Sequence, residues 1–312
     1  MSSAVLKNKW IEMKILDYGA IIQNINAFGY DITLGFDNIS DYIDDDCCFG
    51  SAVGRTANRC KGDNYIDGKK YSLSLNENGT THLHGGFSGF GKKTFKIEEK
   101  NDSSILLSCF SEDGEEGYPG NLKAFVRYTL KDNFILIEYY AMTDKPTWVC
   151  LTNHTYFNPD GAGSGDIFGG KVKIDADRVS LYDDKMRTNG RTDVNSIFDF
   201  RNEKILGREF DCNYFLNLKK GADFCGRKLY FAASVTGKIK ISVWTDMPCM
   251  QFYTGNFIKD NTGIANGKTV SRNGALCFET QFEPGFQSKG EHILRPDVLY
   301  SRATAFVFDK ET

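Results

Sequence analysis

The period of the apolar residues restricts the fold of this chain more than any other feature. Ile11–Leu16, Lys171-Val172-Lys173-Ile174-Asp175 and Lys238–Trp244 alternate apolar with polar residues, the period of a strand with one face buried. Ile105–Phe110, Ala124–Leu130, Phe134–Ala141, Trp148–Thr152, Met250–Phe257, Ala275–Thr280 and Ser301–Phe308 are compact strand-prone runs, and Ile21–Ile25 and Asp31–Phe36 read as shorter ones. Asp67-Gly68 marks a hairpin within Asn64–Leu75. Very few windows keep a 3.6-residue period over three turns. The expectation is an all-β protein, a large antiparallel β-sandwich of many strands. Turn signals recur without a change of composition, so one domain is expected over 1–312.

The charge balance narrows the partners. A net charge of −3 over 312 residues gives no electrostatic reason for a nucleic-acid partner. No run approaches the roughly 18 apolar residues of a membrane helix. The first ten residues, Met1 to Trp10, hold no apolar signal core, so a cytoplasmic location is expected. The nine cysteines show no paired metal-ligand spacing, and buried reduced thiols are the expectation.

Several polar residues stand where chemistry is expected. His154 follows the Trp148–Thr152 run and precedes the turn residues from Pro159 to Gly165, so it should sit at a strand end beside a loop. By position alone it is also a satisfied structural histidine. Gly50–Gly62 carries Arg55, Asn58 and Arg59, donors suited to hydroxyl or carboxylate oxygens, or else turn residues with surface arginines. His82 and His84, two apart on a strand, would share a face and could form a metal pair, while Gly85-Gly86 equally fits close approach of backbone to a ligand. The Asp44-Asp45-Asp46 cluster reads as a solvated loop. Glu279, in the apolar setting Cys277-Phe278-Glu279-Thr280-Gln281, either faces solvent or carries a raised pKa as a general base. Asp211, among aromatics, is a second carboxylate, a hydroxyl acceptor or a turn residue. Aromatic rings beside amides, carboxylates and arginine suit a sugar.

Six segments in order resemble the aldose 1-epimerase (galactose mutarotase) family across nearly the whole chain. They are Gly54-Arg55-Thr56-Ala57-Asn58-Arg59, Leu83-His84-Gly85-Gly86, Gly117-Tyr118-Pro119-Gly120-Asn121-Leu122, Leu151–Asn158, Gln251–Phe257 and Glu279-Thr280-Gln281. The resemblance implies a β-supersandwich and a cofactor-free, metal-free interconversion of the anomers of free aldohexoses such as galactose and glucose. It implies Glu279 as general base at the anomeric hydroxyl and His154 as general acid at the ring oxygen. It implies Asn58, Arg59, His84, Asp211 and Gln251 as the residues that hold the monosaccharide. Cys212 stands where many members carry His, Phe95 where Trp is common, and Pro159 and Pro284-Gly285-Phe286-Gln287 also depart. These departures leave the preferred sugar open and make Asp211 the least secure assignment. An epimerase of hexose 6-phosphates on the same fold, a glycoside hydrolase using Glu279 with Asp211, and a non-catalytic carbohydrate-binding protein are the competing readings. The oligomeric state is not legible.

Overall fold

The computed structural model describes residues 2–311, and its regular elements are strands joined by five short 3-10 turns, with no α-helix among the described residues. Three sheets dominate, and every strand pair within them is antiparallel. A four-stranded meander is built from Ser3–Lys7, Ile11–Leu16, Ile22–Ala27 and Tyr30–Asp31.

A ten-stranded sheet begins with Lys96–Lys100, Ser104–Ser111, Leu122–Lys131 and Phe134–Thr143. It continues through Tyr300–Lys310, Ile239–Thr245, Arg227–Thr236, Lys171–Ile174 and Lys204–Ile205, with Gly221–Phe224 hairpinned onto Arg227–Thr236. The last long strand therefore joins two runs far apart in sequence. Leu122–Lys131 shows the cause of the layering: Leu122, Ala124, Val126, Tyr128 and Leu130 are buried, while the residues between them face outward. The buried rows of these sheets meet in one continuous apolar cluster.

The third sheet, five-stranded, positions the chemistry. Its order is Thr188–Asp193, Ala176–Tyr182, Asp211–Leu216, Cys249–Tyr253, Cys277–Gln281. The last two strands are buried at every residue, so neither face is wet. One face carries Phe252 and Phe278, stacked with centroids 5.5 Å apart, and belongs to the core. Burying one such ring contributes roughly 1.5–3 kcal/mol. The other face is polar. Asn213 pairs with Gln251, and Gln251 with Glu279, so these side chains stand side by side, with Asp211 one step diagonal.

Two of the expected strands change character. The Trp148–Thr152 run is extended but changes partner along its length. Thr147–Trp148 pairs with Ile293–Leu294, Cys150 bridges Thr56, and Thr152–Asn153 pairs with Ala52–Val53. Asp31–Phe36 does not continue as one strand: Asp31 ends the meander, and Thr33 makes an isolated bridge to Phe157. Thr33 Oγ1 accepts the Ile25 N–H (2.8 Å), and a Cβ on Gly35 would lie 2.1 Å from Gln23 O, so this stretch packs as a buried link. No helix among the described residues is long and apolar enough to cross a membrane.

Candidate active site

The polar face of the five-stranded sheet forms one wall of a cavity of about 320 Å³, to which Asp211, Gln251, Tyr253 and Glu279 contribute. Asn58, Arg59, His84, His154 and Tyr156 close it from the loops between short strands. All seven residues expected from the sequence to act on a sugar line this one space. Asp211, the least secure of them, lines the cavity beside Gln251, and Cys212 points into the core on the opposite face, so that departure leaves the cavity unchanged.

The binding residues hold one another. Arg59 N–H donates to Asn58 Oδ1 (2.8 Å), Asn58 Nδ2 donates to Gln251 Oε1 (3.0 Å), and Gln251 Nε2 donates to Asp211 Oδ1 (2.6 Å). Arg59 Nη1 lies 3.8 Å from Asp211 Oδ2, which closes the ring. Glu77, 18 residues further along, grips the guanidinium through Nε (2.9 Å) and Nη2 (2.9 Å). Such a ring arrives with its rotamers already set, which lowers the entropy lost on ligand binding.

Asn58 and His84 both adopt left-handed backbone, with φ of +60° and +51°. This is the conformation that Asn and His tolerate better than most residues. It breaks the alternation after Leu83, so His82 and His84 do not share a face. His82 is buried between Tyr118 Oη (2.6 Å from Nε2) and Ser74 O (2.7 Å from Nδ1), a structural role that removes it from a metal pair. His84 turns into the cavity, and its Nδ1 accepts the Asn58 N–H (3.2 Å). Its neutral form therefore presents Nε2–H as a donor. Burial, with His154 and Arg59 nearby, lowers the His84 pKa well below the usual histidine value, which keeps it neutral. The Gly85-Gly86 close approach is to the chain itself: a Cβ on Gly85 would lie 1.8 Å from Gly54 O.

The other arginine of the motif has a different task. Arg55 is buried and donates to Ser111 Oγ (2.8 Å), Pro119 O (3.1 Å), Ser111 O (2.9 Å) and Glu112 O (2.8 Å). It ties the tight acidic loop to the Gly54–Arg59 segment and does not line this cavity. The acidic cluster is solvated at Asp44 and Asp46, as expected, but not at Asp45. Asp45 accepts Cys47 N–H (2.8 Å) and Phe49 N–H (2.6 Å), and Asp44, Asp45 and Asp46 stand in the cavity wall with the half-buried Cys47 and Cys48. A second cavity of about 420 Å³ adjoins the first, sharing His84, Leu83, Cys48, Asp45 and Asp46.

His154 and Glu279 face each other at the centre. His154 Nε2 lies 3.6 Å from Glu279 Oε1, and both side chains are almost fully buried. His154 is fixed by its backbone, N–H to Ser51 O (2.9 Å) and O from Gly50 N–H (3.0 Å), and by stacking on Tyr156 at 5.0 Å. Glu279 Oε2 is buried and has no hydrogen-bond partner among the described residues. Burial, with Asp211 adding to it and Arg59 opposing, pushes the Glu279 pKa up to about 8. Burial pushes His154 down to about 4, with Arg59 acting in the same direction. Between these limits the pair holds one proton, and its titration belongs to the two groups together. A pair that holds one proton at neutral pH can give it at one oxygen and take another at a second.

His84, His154 and Glu279 bring ligand atoms within 4.8 Å of one another. A metal-bound histidine donates through its other ring nitrogen. His84 Nδ1 instead accepts, so its cavity-facing nitrogen carries the proton and is set as a donor rather than a metal ligand.

The aldose 1-epimerase family model matches residues 2–306. The galactose mutarotase of Sus scrofa is 37% identical, with 97% of this chain and 92% of the relative covered. The aldose 1-epimerase of Escherichia coli K12 is 33% identical over 97% of this chain and 94% of its own length. An aldose epimerase homologue from C. elegans superposes with a TM-score of 0.89 at 26% identity, over 100% of both chains. A match of this extent, on a fold whose strands converge on a buried His–Glu pair, leaves one conclusion: the chain belongs to the aldose 1-epimerase family.

Proposed function

We propose that this enzyme interconverts the α and β anomers of free aldohexoses, galactose and glucose first among them, with Glu279 as base and His154 as acid. The observation that carries the assignment is the buried pair itself, one oxygen of Glu279 unpartnered and the other 3.6 Å from His154 Nε2. The reacting form is the one in which the pair's shared proton has moved to His154 Nε2 and Glu279 is ionised; in the forward direction Glu279 then takes the proton of O1. The O–H electron pair becomes the C1=O1 double bond, the C1–O5 pair leaves to O5, and O5 takes the proton from His154 Nε2. Rotation about C1–C2 presents the other aldehyde face. Reclosure returns both protons, and the pair ends as it began. The ring of Arg59, Asp211, Gln251 and Asn58, with the Nε2–H of His84, supplies fixed donors and acceptors for the remaining hydroxyls.

Charge favours a neutral sugar over a 6-phosphate. The cavity wall holds Asp41, Asp44, Asp45, Asp46, Asp211 and Glu279 against Arg59 and Lys259, and Arg59 is already engaged by Glu77. The adjoining cavity adds Glu77 and a single lysine, Lys92. Nothing there makes the cluster of free cations that a phosphate dianion requires. The ties of Asp211 to Gln251 and Arg59 support the acceptor role over that of the second carboxyl of a glycosidase. A sugar-binding protein without catalysis would have no use for a buried carboxylate paired with histidine, since that burial costs stability.

Polarimetry on freshly dissolved α-D-galactose and α-D-glucose tests the function. Faster relaxation to the same final rotation is the expected result; a folded protein that accelerates neither sugar but accelerates a hexose 6-phosphate would overturn it. Chelators should leave the rate unchanged, and restoration of a chelator-inactivated enzyme by a divalent ion would reinstate a metal.

The shared proton predicts the pH profile. Below about 4 both His154 and Glu279 are protonated and no base remains; above about 8 both have lost protons and no acid remains. The kcat/KM of the free enzyme is therefore expected to be flat between these limits and to fall tenfold per pH step beyond each. A profile that rises steadily through pH 8 would show that activity requires Glu279 to lose its proton there, and that the pair does not work as one shared acid and base.

A further inference from the structure

We propose that Cys277 is the positioning residue for His154, its thiol sulfur accepting Nδ1–H and holding the imidazole in the tautomer whose Nε2 exchanges the proton. This rests on the acid role proposed for His154. Cys277 Sγ lies 3.5 Å from His154 Nδ1, within reach of an N–H···S bond, and is the side-chain partner of that nitrogen among the described residues. Cys277 and Glu279 are two residues apart on one strand and share its polar face. A single strand thus delivers the base to one nitrogen of His154 and a hydrogen-bond partner to the other.

The tautomer matters because only one nitrogen can face the ring oxygen. With Nδ1–H held on sulfur, Nε2 is protonated in the acid form and carries the lone pair once the proton has gone to O5. Nδ1 keeps its proton in both states, so the ring need not turn during the cycle. The opposite neutral tautomer, Nε2–H with a bare Nδ1, could not take the proton back on reclosure.

The chemical identity of the partner fits the task. An orienting carboxylate in this place would favour the imidazolium and hold the proton that must be given up. A thiol orients without adding charge. Burial, with Glu279 beside it, keeps the Cys277 thiol far above its usual pKa, so it stays neutral. Of the other groups facing His154, Glu279 meets Nε2, Tyr156 stacks on the ring, and His84 and Tyr253 meet it edge to face, while the residue's own main chain also favours a protonated ring. Arg59 acts on it only through its charge.

The long-range proton–nitrogen NMR spectrum of the wild type at pH 7 tests this directly. Four histidines make assignment tractable, with His154→Asn identifying the signal. The expected result is a neutral His154 protonated at Nδ1. In Cys277→Ala the Nε2–H form should grow and kcat for galactose should fall about tenfold, the worth of one neutral hydrogen bond, with KM within about twofold. Cys277→Ser, which keeps a hydroxyl acceptor, should recover most of both. A wild-type His154 protonated at Nε2 overturns the proposal. So does a Cys277→Ala enzyme whose tautomer is unchanged, whether its activity is intact or falls together with its melting temperature. The spectrum needs no turnover, so an enzyme inactive on every aldose would refute the mutarotase reading while this measurement still decided the role of Cys277.

Discussion

Glu279→Gln is expected to lower kcat for galactose by about 10²–10⁴-fold while the sugar still binds. That loss corresponds to roughly 3–5 kcal/mol of transition-state stabilisation. Gln keeps the shape of the side chain and can still meet O1, but it cannot take a proton. The same substitution has an opposite, stabilising effect that separates lost chemistry from lost folding. Glu279 has a folded pKa of about 8, above the value it takes in the unfolded chain. The native state therefore binds the extra proton, and the stability this confers is present in acid and lost as pH rises toward and through 8. At pH 9 the wild type carries a buried carboxylate whose Oε2 has no partner among the described residues. The variant carries none, so its melting temperature should exceed that of the wild type at pH 9 and the difference should shrink at pH 5. A variant with near wild-type turnover would remove Glu279 from the mechanism. A variant inactive because it melts early at every pH would show that the carboxylate is structural.

Much of this site was legible because a strand has a period of two. Once Glu279 and Gln251 are read as strand residues they need only a register to meet, and the register pairs them directly. The motif residues that failed did so where the backbone leaves that period. The parity argument put His82 and His84 on one face, and the positive φ of His84 cancelled it. Arg55 and Arg59 look equivalent in sequence; the difference is that the buried Arg55 meets main-chain oxygens of a loop more than fifty residues away. Glu77 and Cys277 carry no local signal at all. Each acquires its task from a contact made by the fold, Glu77 to Arg59 and Cys277 to His154. The acidic Asp44-Asp45-Asp46 run looked solvated because charge runs usually are. Asp44 and Asp46 are indeed exposed, but two backbone N–H groups held by Asp45 fix the run at the cavity.

His154→Asn is expected to cost catalysis far more than affinity. The variant loses the imidazole that faces Glu279 and gives its proton to the ring oxygen, and general-acid catalysis of this kind typically contributes about 10²–10⁴-fold. Asn retains a hydrogen-bond donor of smaller reach, so galactose should still be held by Arg59, Asp211, Gln251, Asn58 and His84, whose mutual bonds do not involve His154. Saturation kinetics by polarimetry should therefore show a large fall in kcat with KM changed by about threefold or less, the pattern of an interaction made in the transition state. The pH profile should change with it. In the wild type the alkaline limb marks loss of the one proton that the pair shares. In His154→Asn that proton can reside only on Glu279, so the residual activity must depend on an ionised Glu279 with solvent as the acid. Its rate should then rise through pH 8, where the wild type falls. A variant that keeps its kcat and loses affinity would make His154 a binding residue. A residual rate that still falls above pH 8 would place the essential proton on a group other than His154.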